Sequence, residues 1–410
     1  MNILFVHEVD WLAKVVFDIH FLSEALSLRG HRIYVIDYED TWHRNGFFDL
    51  GSLRTKQIDN ISRALPEASV CIRRPGFIKI PGLTRISAAF TTYLEIKRAI
   101  REKKIDAIML YSVPTSGLQS IHLAQKFNIP VIFRSIDMLS ILVPYPWLRP
   151  ATRILEKKVY ARVDLVLPAT PQYLKYVTGM GAAQTKTKLL LFPVDTGLFH
   201  PSVDCSEVRQ QWGFSESDQI IVFIGTLFNF SGLDAFIQEF PRVVREVPEA
   251  KLLIVGDGPQ RPKLERIIIE LGLARQVTIT GFQPYKTMPQ YINLANICIN
   301  TFVISESTMD IFPAKMMQYI ACGKATVATA LHGIMTLLPG ESHGVVYANS
   351  ATEMADGVIS LMKSAERRHQ LENAGLDYIK QKHNYEIISR QLETILEEAI
   401  KEKHNGTKHK

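Results

Sequence analysis

Short runs of β-branched and other apolar residues alternate along the chain with longer stretches of helical periodicity. In the first half the pattern predicts strands at Asn2–His7, Arg32–Asp37, Ser69–Arg73, Asp106–Ser112, Pro130–Arg134, Asp164–Pro168 and Lys188–Pro193. Helices such as Lys14–Arg29 and Thr84–Lys104 are predicted between them. The second half repeats the rhythm, with strands at Gln219–Thr226, Ala250–Gly256, Gln276–Thr280, Ile297–Phe302, Ala325–Thr329 and Gly344–Tyr347. Its helices include Gly232–Val247, Arg261–Leu271, Pro313–Cys322 and Thr352–Ser364. Most of the strands are unbroken apolar runs, which fits parallel strands covered by helices on both faces. Strand–helix–strand units in series predict an α/β fold of doubly wound domains.

The rhythm breaks at Phe192–Ser206, where Pro193, Gly197 and Pro201 punctuate a loop. This divides the chain into an N-terminal domain over 1–192, a linker over 193–206 and a C-terminal domain over 207–383. A helix over 384–400 is expected to pack back toward the N-terminal domain, followed by a disordered basic tail over 401–410. In open α/β sheets ligands bind outside the carboxyl ends of the strands, so function is expected in the loops that follow them.

At 410 residues the chain accommodates two or three domains, and 47% hydrophobic with 21% charged residues is ordinary for a globular protein. No apolar run reaches the roughly 18–20 residues needed to span a bilayer. The N-terminus enters a strand pattern without the features of a signal peptide, which reads as cytoplasmic, with membrane contact at most from the surface. Charge is uneven: residues 1–200 hold 26 Lys and Arg against 17 Asp and Glu, and the remainder 21 against 24. A basic first half suits an anionic membrane surface or a phosphorylated acceptor, or is simply a lysine-rich solvated face. Nucleic acid is not indicated, because the basic residues are scattered and no nucleic-acid module accompanies them. Cys71, Cys205, Cys298 and Cys322 match no zinc or redox spacing, and Cys71 and Cys298 read as buried free thiols. The Asn405-Gly-Thr sequon falls in the charged tail and carries no weight in this reading.

The strongest local signal is Asp310-Ile-Phe-Pro-Ala-Lys-Met-Met-Gln318. Pro313 suits a first helical turn, whereas Phe312 has no side-chain oxygen to cap it. The amides near Pro313, Ala314 and Lys315 then need an outside acceptor, either water or an anion such as a diphosphate, which the helix dipole favours. Gly225-Thr226, Gly256-Asp-Gly258 and Gly281-Phe282 each end a predicted strand, where glycine permits a tight turn or close approach to a ligand. The glycines at 256 and 258 lack the third that a dinucleotide fingerprint requires, so a nicotinamide oxidoreductase is poorly supported. Tyr145-Pro-Trp147-Leu-Arg149 mixes aromatics with a cation, as a membrane-surface contact does and as a packed loop also does.

The C-terminal half resembles the family 4 glycosyltransferases, which have the GT-B fold of two Rossmann-like domains facing a cleft and retain anomeric configuration. Four pieces carry the resemblance in order: IGTLFNFSGLDAFI from Ile224, AKLLIVGDGP from Ala250, ITGFQPYKTMPQYI from Ile279 and PAKMMQYIACGKATVAT from Pro313. VDTGLFHP from Val194 resembles the domain junction, and in the N-terminal half only LSLRGHRIYVI from Leu26 is a local echo. The resemblance implies transfer of a sugar from a nucleotide diphosphate-sugar, itself a substrate, with no obligatory metal or other cofactor. It points to a glycan or lipid-linked acceptor, such as a cell-surface glycan. It assigns donor contacts to Gly225, Thr226, Ser231, Gly256, Gly281, Phe282, Phe312, Pro313, Ala314 and Gln318.

Three departures stand out. The family's two glutamates, eight positions apart, are here Asp310 and Gln318; the first meets sugar hydroxyls and the second the ribose. The family's usual diphosphate-neutralising cations are replaced by Thr226 and Ser231, and Lys315 is the candidate to supply that charge. The glycine-rich loop after the first strand is replaced by His7–Lys14, which places Asp10 and Trp11 on the acceptor side. Asp137, after the strand that carries Arg134, is the candidate polar group facing the reacting sugar, with Arg134 beside it on the acceptor side. The predicted catalytic set is thus Asp137, Asp310 and Lys315. The rival readings are a non-catalytic GT-B scaffold, suggested by the lost glutamate and cations, and another GT-B enzyme such as a nucleotide-sugar epimerase.

Overall fold

The computed structural model describes residues 1–39, 50–80, 82–113, 115–140, 143 and 145–405. It separates into two compact units, the first made of residues 1–193 together with the chain from Tyr385 onward, the second of Val194–Asn384.

The first unit runs β1 (Asn2–Val6), α1 (Asp18–Leu28), β2 (Arg32–Ile36), β3 (Lys56–Ile61), β4 (Val70–Arg74), α2 (Thr84–Lys103) and β5 (Ala107–Leu110). It continues with α3 (Gly117–Phe127), β6 (Val131–Ser135), α4 (Arg149–Tyr160), β7 (Leu165–Pro168) and α5 (Pro171–Gly179). The sheet order is β3-β4-β2-β1-β5-β6-β7, parallel except for β3. β3 is absent from the sequence-based reading because KQIDNI is an exposed, polar edge strand with no apolar run. The expected strand at Lys188–Pro193 does not form. Lys188 and Leu190 donate to Val166 and Pro168, but the Leu190 and Leu191 carbonyls are taken by the Arg134 guanidinium and are not free for a ladder.

The second unit runs α6 (Ser206–Gln211), β8 (Gln219–Ile224), α7 (Leu233–Glu246), β9 (Ala250–Val255), α8 (Arg261–Glu270), β10 (Val277–Ile279) and α9 (Met288–Leu294). It continues with β11 (Ile297–Asn300), α10 (Lys315–Ala321), β12 (Thr326–Thr329), α11 (His332–Met335), β13 (Val345–Ala348), α12 (Ala351–Lys363) and α13 (Ala365–Lys382). Its six strands are all parallel, in the order β10-β9-β8-β11-β12-β13. Ile221, Phe223, Leu252, Ile254, Ile297, Ile299 and Val327 face α7 and α12 in one core. The β-branched strands prefer the pleated surface, and side-chain caps such as Ser350 at α12, accepting from Glu353 N at 3.1 Å, set helix starts.

Helix α14 (Tyr385–Asn405) returns to the first unit, where Ile388, Leu392 and Leu396 share a core with Ile19, Leu22 and Leu26 of α1. It runs through Asn405, so Lys401–Asn405 are helical and not the start of a disordered tail; the rest of the sequon lies outside the described residues. Among the described residues no helix is long and apolar enough to cross a membrane. All four cysteines are free; Cys298 is buried as expected, whereas Cys71 is only half-buried.

Candidate functional site

Each sheet reverses its strand order once, at β1/β5 in the first unit and at β8/β11 in the second. Such reversals open a crevice at the carboxyl edge of a parallel sheet. The two crevices are furnished differently.

In the second unit the β8–β11 ladder pairs Ile221 with Ile297 and Val222 with Cys298 and goes no further, although both strands continue. Beyond that point the Ile224 amide donates to the hydroxyl of Tyr319 on α10, at 2.7 Å, so the helix is tied to the strand end across the opening. Asn300, the last residue of β11, is buried with neither amide atom hydrogen-bonded among the described residues. Three glycine loops close around the carboxyl ends of β8, β9 and β10. A β-carbon on Gly256 would stand 2.0 Å from the Gly225 carbonyl oxygen, and Gly256 also bridges to Gly281. Gly225 and Gly256 have φ of +150° and +149°, so glycine is required twice over, by conformation and by close approach.

Lys315 opens α10 and sends its ammonium back to this edge. Nζ lies 3.8 Å from the ring centre of Phe223 and 4.6 Å from that of Phe302. A β-carbon on Gly225 would lie 3.1 Å from it. No carboxylate or other hydrogen-bond partner meets it among the described residues. Burial pushes its pKa from the ordinary 10.5 to about 7, although the residue as a whole keeps some exposure. The two ring faces offset part of that desolvation by cation–π attraction. A lysine without a counterion beside strand-end backbone gains charge when an anion is brought to it.

The helix begins two residues later than the sequence predicts. Pro313 and Ala314 lie in a tightened turn, with Met316 N donating to Pro313 O at 2.9 Å and Met317 N to Ala314 O at 3.1 Å. The amides of Ala314 and Lys315 have no acceptor among the described residues. Gln318, one turn on, donates to the Tyr285 hydroxyl at 3.3 Å, and burial raises the Tyr285 pKa. Asp310 sits in the loop before the helix, its carbonyl pressed against Gly333, where a β-carbon would stand 2.4 Å away. Thr226 is exposed beside this edge and Phe282 is 75% exposed.

Two expected donor contacts, Ser231 and Phe312, lie at buried positions. The Ser231 side chain is buried and its carbonyl accepts from Thr301 Oγ1 at 2.6 Å, because Gly232 lets this turn press onto β11's extension. Phe312 is likewise a buried side chain whose ring faces inward. Tyr319, Tyr285, Phe223 and Phe302 border this edge without a sequence signal of their own. An aromatic inside a helical or strand pattern reads as core, and only the fold shows which ones border the site.

In the first unit the equivalent crevice is occupied from within. Glu8, just after β1, accepts from Thr115 N at 2.7 Å and from Ser116 N at 2.8 Å, the amides that lead into α3. Arg85 pairs with its other oxygen at 3.3 Å. A carboxylate therefore already satisfies the anion-attracting end of α3. Asp137 follows β6, and burial raises its pKa to about 6; Asp18 raises it further and Lys14 opposes. Burial lowers His7 to about 3 and His20 to about 4.

The three acceptor-side candidates each have internal partners. Arg134 is wholly buried, bonded to Asp18 at 2.6 Å and to the Leu167, Leu190 and Leu191 carbonyls, so it fastens β6 to its surroundings. Trp11 is 2% exposed, in the core with Ile3 and Phe5. Asp10 pairs with Arg74 at 2.7 Å and caps Leu12 and Ala13 at 2.9 and 3.0 Å, holding the loop closed in place of the expected glycines.

A cleft of about 480 Å³ also lies in the first unit, at the opposite ends of the strands. Its main charges are already paired, Lys403 with Asp164 at 2.6 Å and Lys188 with Glu398 at 2.7 Å. Among the described residues no cluster of three or more His, Cys, Asp or Glu side chains forms a metal site.

Comparison with known proteins bears on the family and the fold. Residues 204–377 match the family described as Glycosyl transferases group 1, and residues 19–191 match the Glycosyl transferase 4-like domain. N-acetyl-alpha-D-glucosaminyl L-malate synthase of Bacillus anthracis is 25% identical, over 50% of this chain and 51% of its own. Alpha-D-kanosaminyltransferase of Streptomyces kanamyceticus is 29% identical, over 41% of this chain and 43% of its own. The chain thus spans about half the length of the curated relatives it matches. Anabaena HepE, solved in complex with UDP, superposes with a TM-score of 0.74 at 18% identity, covering 97% of this chain and 100% of that one, which shows the fold. With one family pattern on each half and the GT-B fold along its length, the chain belongs to the group 1, family 4-type glycosyltransferases.

Proposed function

We propose that this chain moves a sugar from a nucleotide diphosphate-sugar to an acceptor hydroxyl, with retention of anomeric configuration. The observation that carries the reading is the unpaired ammonium of Lys315 beside Gly225 at the reversal of the second sheet. A pyrophosphate there would meet Lys315 and the amides of Ala314 and Lys315, the groups that stabilise charge developing on a leaving phosphate. The bond from the anomeric carbon to the diphosphate oxygen breaks as the acceptor oxygen bonds on the same face. The acceptor's proton passes to the departing phosphate.

Asp310 serves the sugar hydroxyls and Gln318 the ribose diol, with hydrogen bonds weaker than a glutamate would give. Asp137 is the first unit's candidate for the polar group that faces the reacting sugar. The similarity to enzymes named as sugar transferases, and to a fold solved with UDP, supports the donor class. The basic balance of residues 1–200 supports an anionic acceptor, lipid-linked or on the cell surface.

The test is a panel of UDP-, GDP- and ADP-sugars, read by thermal shift and by mass spectrometry of the products. One donor class raises the melting temperature and is consumed, and Lys315→Ala lowers turnover at least about tenfold. If no sugar nucleotide associates at millimolar concentration, the enzymatic reading fails. Unchanged kinetics of Lys315→Ala at saturating donor would remove that lysine from the mechanism.

A further inference from the structure

The start of α2 is built like a surface that water should not keep. From Ile80 to Leu94 the sequence holds no carboxylate and one cation, Arg85. Ala88, Thr91 and Thr92 turn this stretch's polar-to-small face into the unit, while Leu83, Ile86, Phe90 and Leu94 recur at helical spacing on the outside. Ile86 is 68% and Phe90 61% exposed.

A second feature lies at the start of α4. Tyr145 and Trp147 are 60% and 75% exposed, with their rings 6.3 Å apart. Arg149, Arg153, Lys157 and Lys158 follow on the exposed surface, and none has a carboxylate partner among the described residues. The helix's single acid, Glu156, is buried and accepts from the Tyr176 and Tyr160 hydroxyls at 2.9 and 3.1 Å.

The topology puts these two features at one edge. β4 and β6 run parallel, so α2 and α4, which follow them, begin at the same end of the sheet. Helices α2, α3 and α4 pack side by side on one face of it. Scattered exposed apolar residues are ordinary, but a helical stripe of them at the same sheet end as unpaired cations is not.

We infer that this edge of the first unit docks on an anionic lipid surface, with Ile86, Phe90 and Trp147 entering the headgroup boundary and Arg153, Lys157 and their neighbours facing the phosphates. Charge complementarity selects the occupant, since the two segments, Leu83–Leu94 and Tyr145–Lys158, pair apolar side chains with positive charge and, among the described residues, hold no exposed acid. The surface deepens the proposed lipid-linked acceptor and rests on that reading for its purpose, though not for its chemistry.

The full chain is tested by sedimentation with vesicles of phosphatidylcholine alone and of equal phosphatidylcholine and phosphatidylglycerol. The anionic vesicles should bind at least about tenfold more protein, less so at high salt. Ile86→Ser with Phe90→Ser, and separately Arg153→Glu with Lys157→Glu, should each reduce that binding at least about tenfold. Brominated lipid should quench wild-type fluorescence, and Trp147→Phe should remove the quenching. Equal partition of wild type and variants overturns the inference, as does no binding of wild type at low salt. So does a concentration-dependent dimer that the Ile86/Phe90 pair dissolves without any vesicle binding, which would give the face to a second copy. Thermal shift by UDP on the same variants keeps the two readings apart. Vesicle binding without a UDP shift sinks the donor reading alone, and a UDP shift without vesicle binding sinks the docking surface alone.

Discussion

The Lys315 ammonium and the Gly225 backbone are neighbours so close that a single added carbon on the glycine would stand 3.1 Å from Nζ. The neighbour is the far end of a flexible side chain, so Gly225→Ala should displace the lysine without breaking the fold. The expected outcome is at least about a tenfold loss of UDP affinity by calorimetry, with a stability cost of about 1–3 kcal/mol from the φ of +150°. Gly256→Ala should behave differently, since its carbon would meet a carbonyl oxygen at 2.0 Å and backbone must move. It should unfold at markedly lower temperature. Full UDP affinity in folded Gly225→Ala would place the diphosphate elsewhere.

The depressed pKa of Lys315 has a sign that stability measurements can read. Between about 7 and the ordinary 10.5 the unfolded chain holds a proton that the folded chain has released. Stability should therefore rise with pH across that window and be lost as pH falls through about 7, with a slope of at most about 1.4 kcal/mol per pH unit. Lys315→Met should flatten this part of the profile. A bound diphosphate would restore the charge, so UDP binding at pH 8 should take up about one proton, measured by calorimetry in buffers of different ionisation enthalpy. The same proton uptake in Lys315→Met would assign it to another group.

Arg134 gives a prediction of the opposite kind. Both it and Asp18 are shielded from solvent, and the Tyr111 hydroxyl donates to Asp18 at 2.9 Å. Arg134→Met strands a buried carboxylate and should cost about 3–5 kcal/mol in chemical denaturation. Adding Asp18→Asn, which keeps an acceptor for Tyr111, should recover much of the loss. A residue serving an acceptor instead would leave stability intact and raise the acceptor KM.

The strand rhythm, the two-sheet plan and the glycine turns at the strand ends were readable because unbroken apolar runs and glycines at strand ends leave local signals. What escaped was set by tertiary neighbours. β3 is polar because it is an edge, and Lys188–Pro193 is no strand because Arg134 occupies its carbonyls. Trp11 and Arg134 stand in loop-like and strand-end positions that suggest exposure, yet the core and Asp18 claim them. Lys315 could be proposed from charge balance alone, but its aromatic enclosure joins residues far apart in the chain and has no sequence signature.

The last long helix belongs to the first unit, and this orders events during synthesis. Residues 194–384 carry their own sheet and core and are complete before Tyr385 has been added. The unit that begins the chain must wait, because the apolar side of α1 is covered by Ile388, Leu392 and Leu396. The second unit can therefore complete its sheet and core without α14, while the unit translated earliest keeps an open flank on α1 until that helix docks.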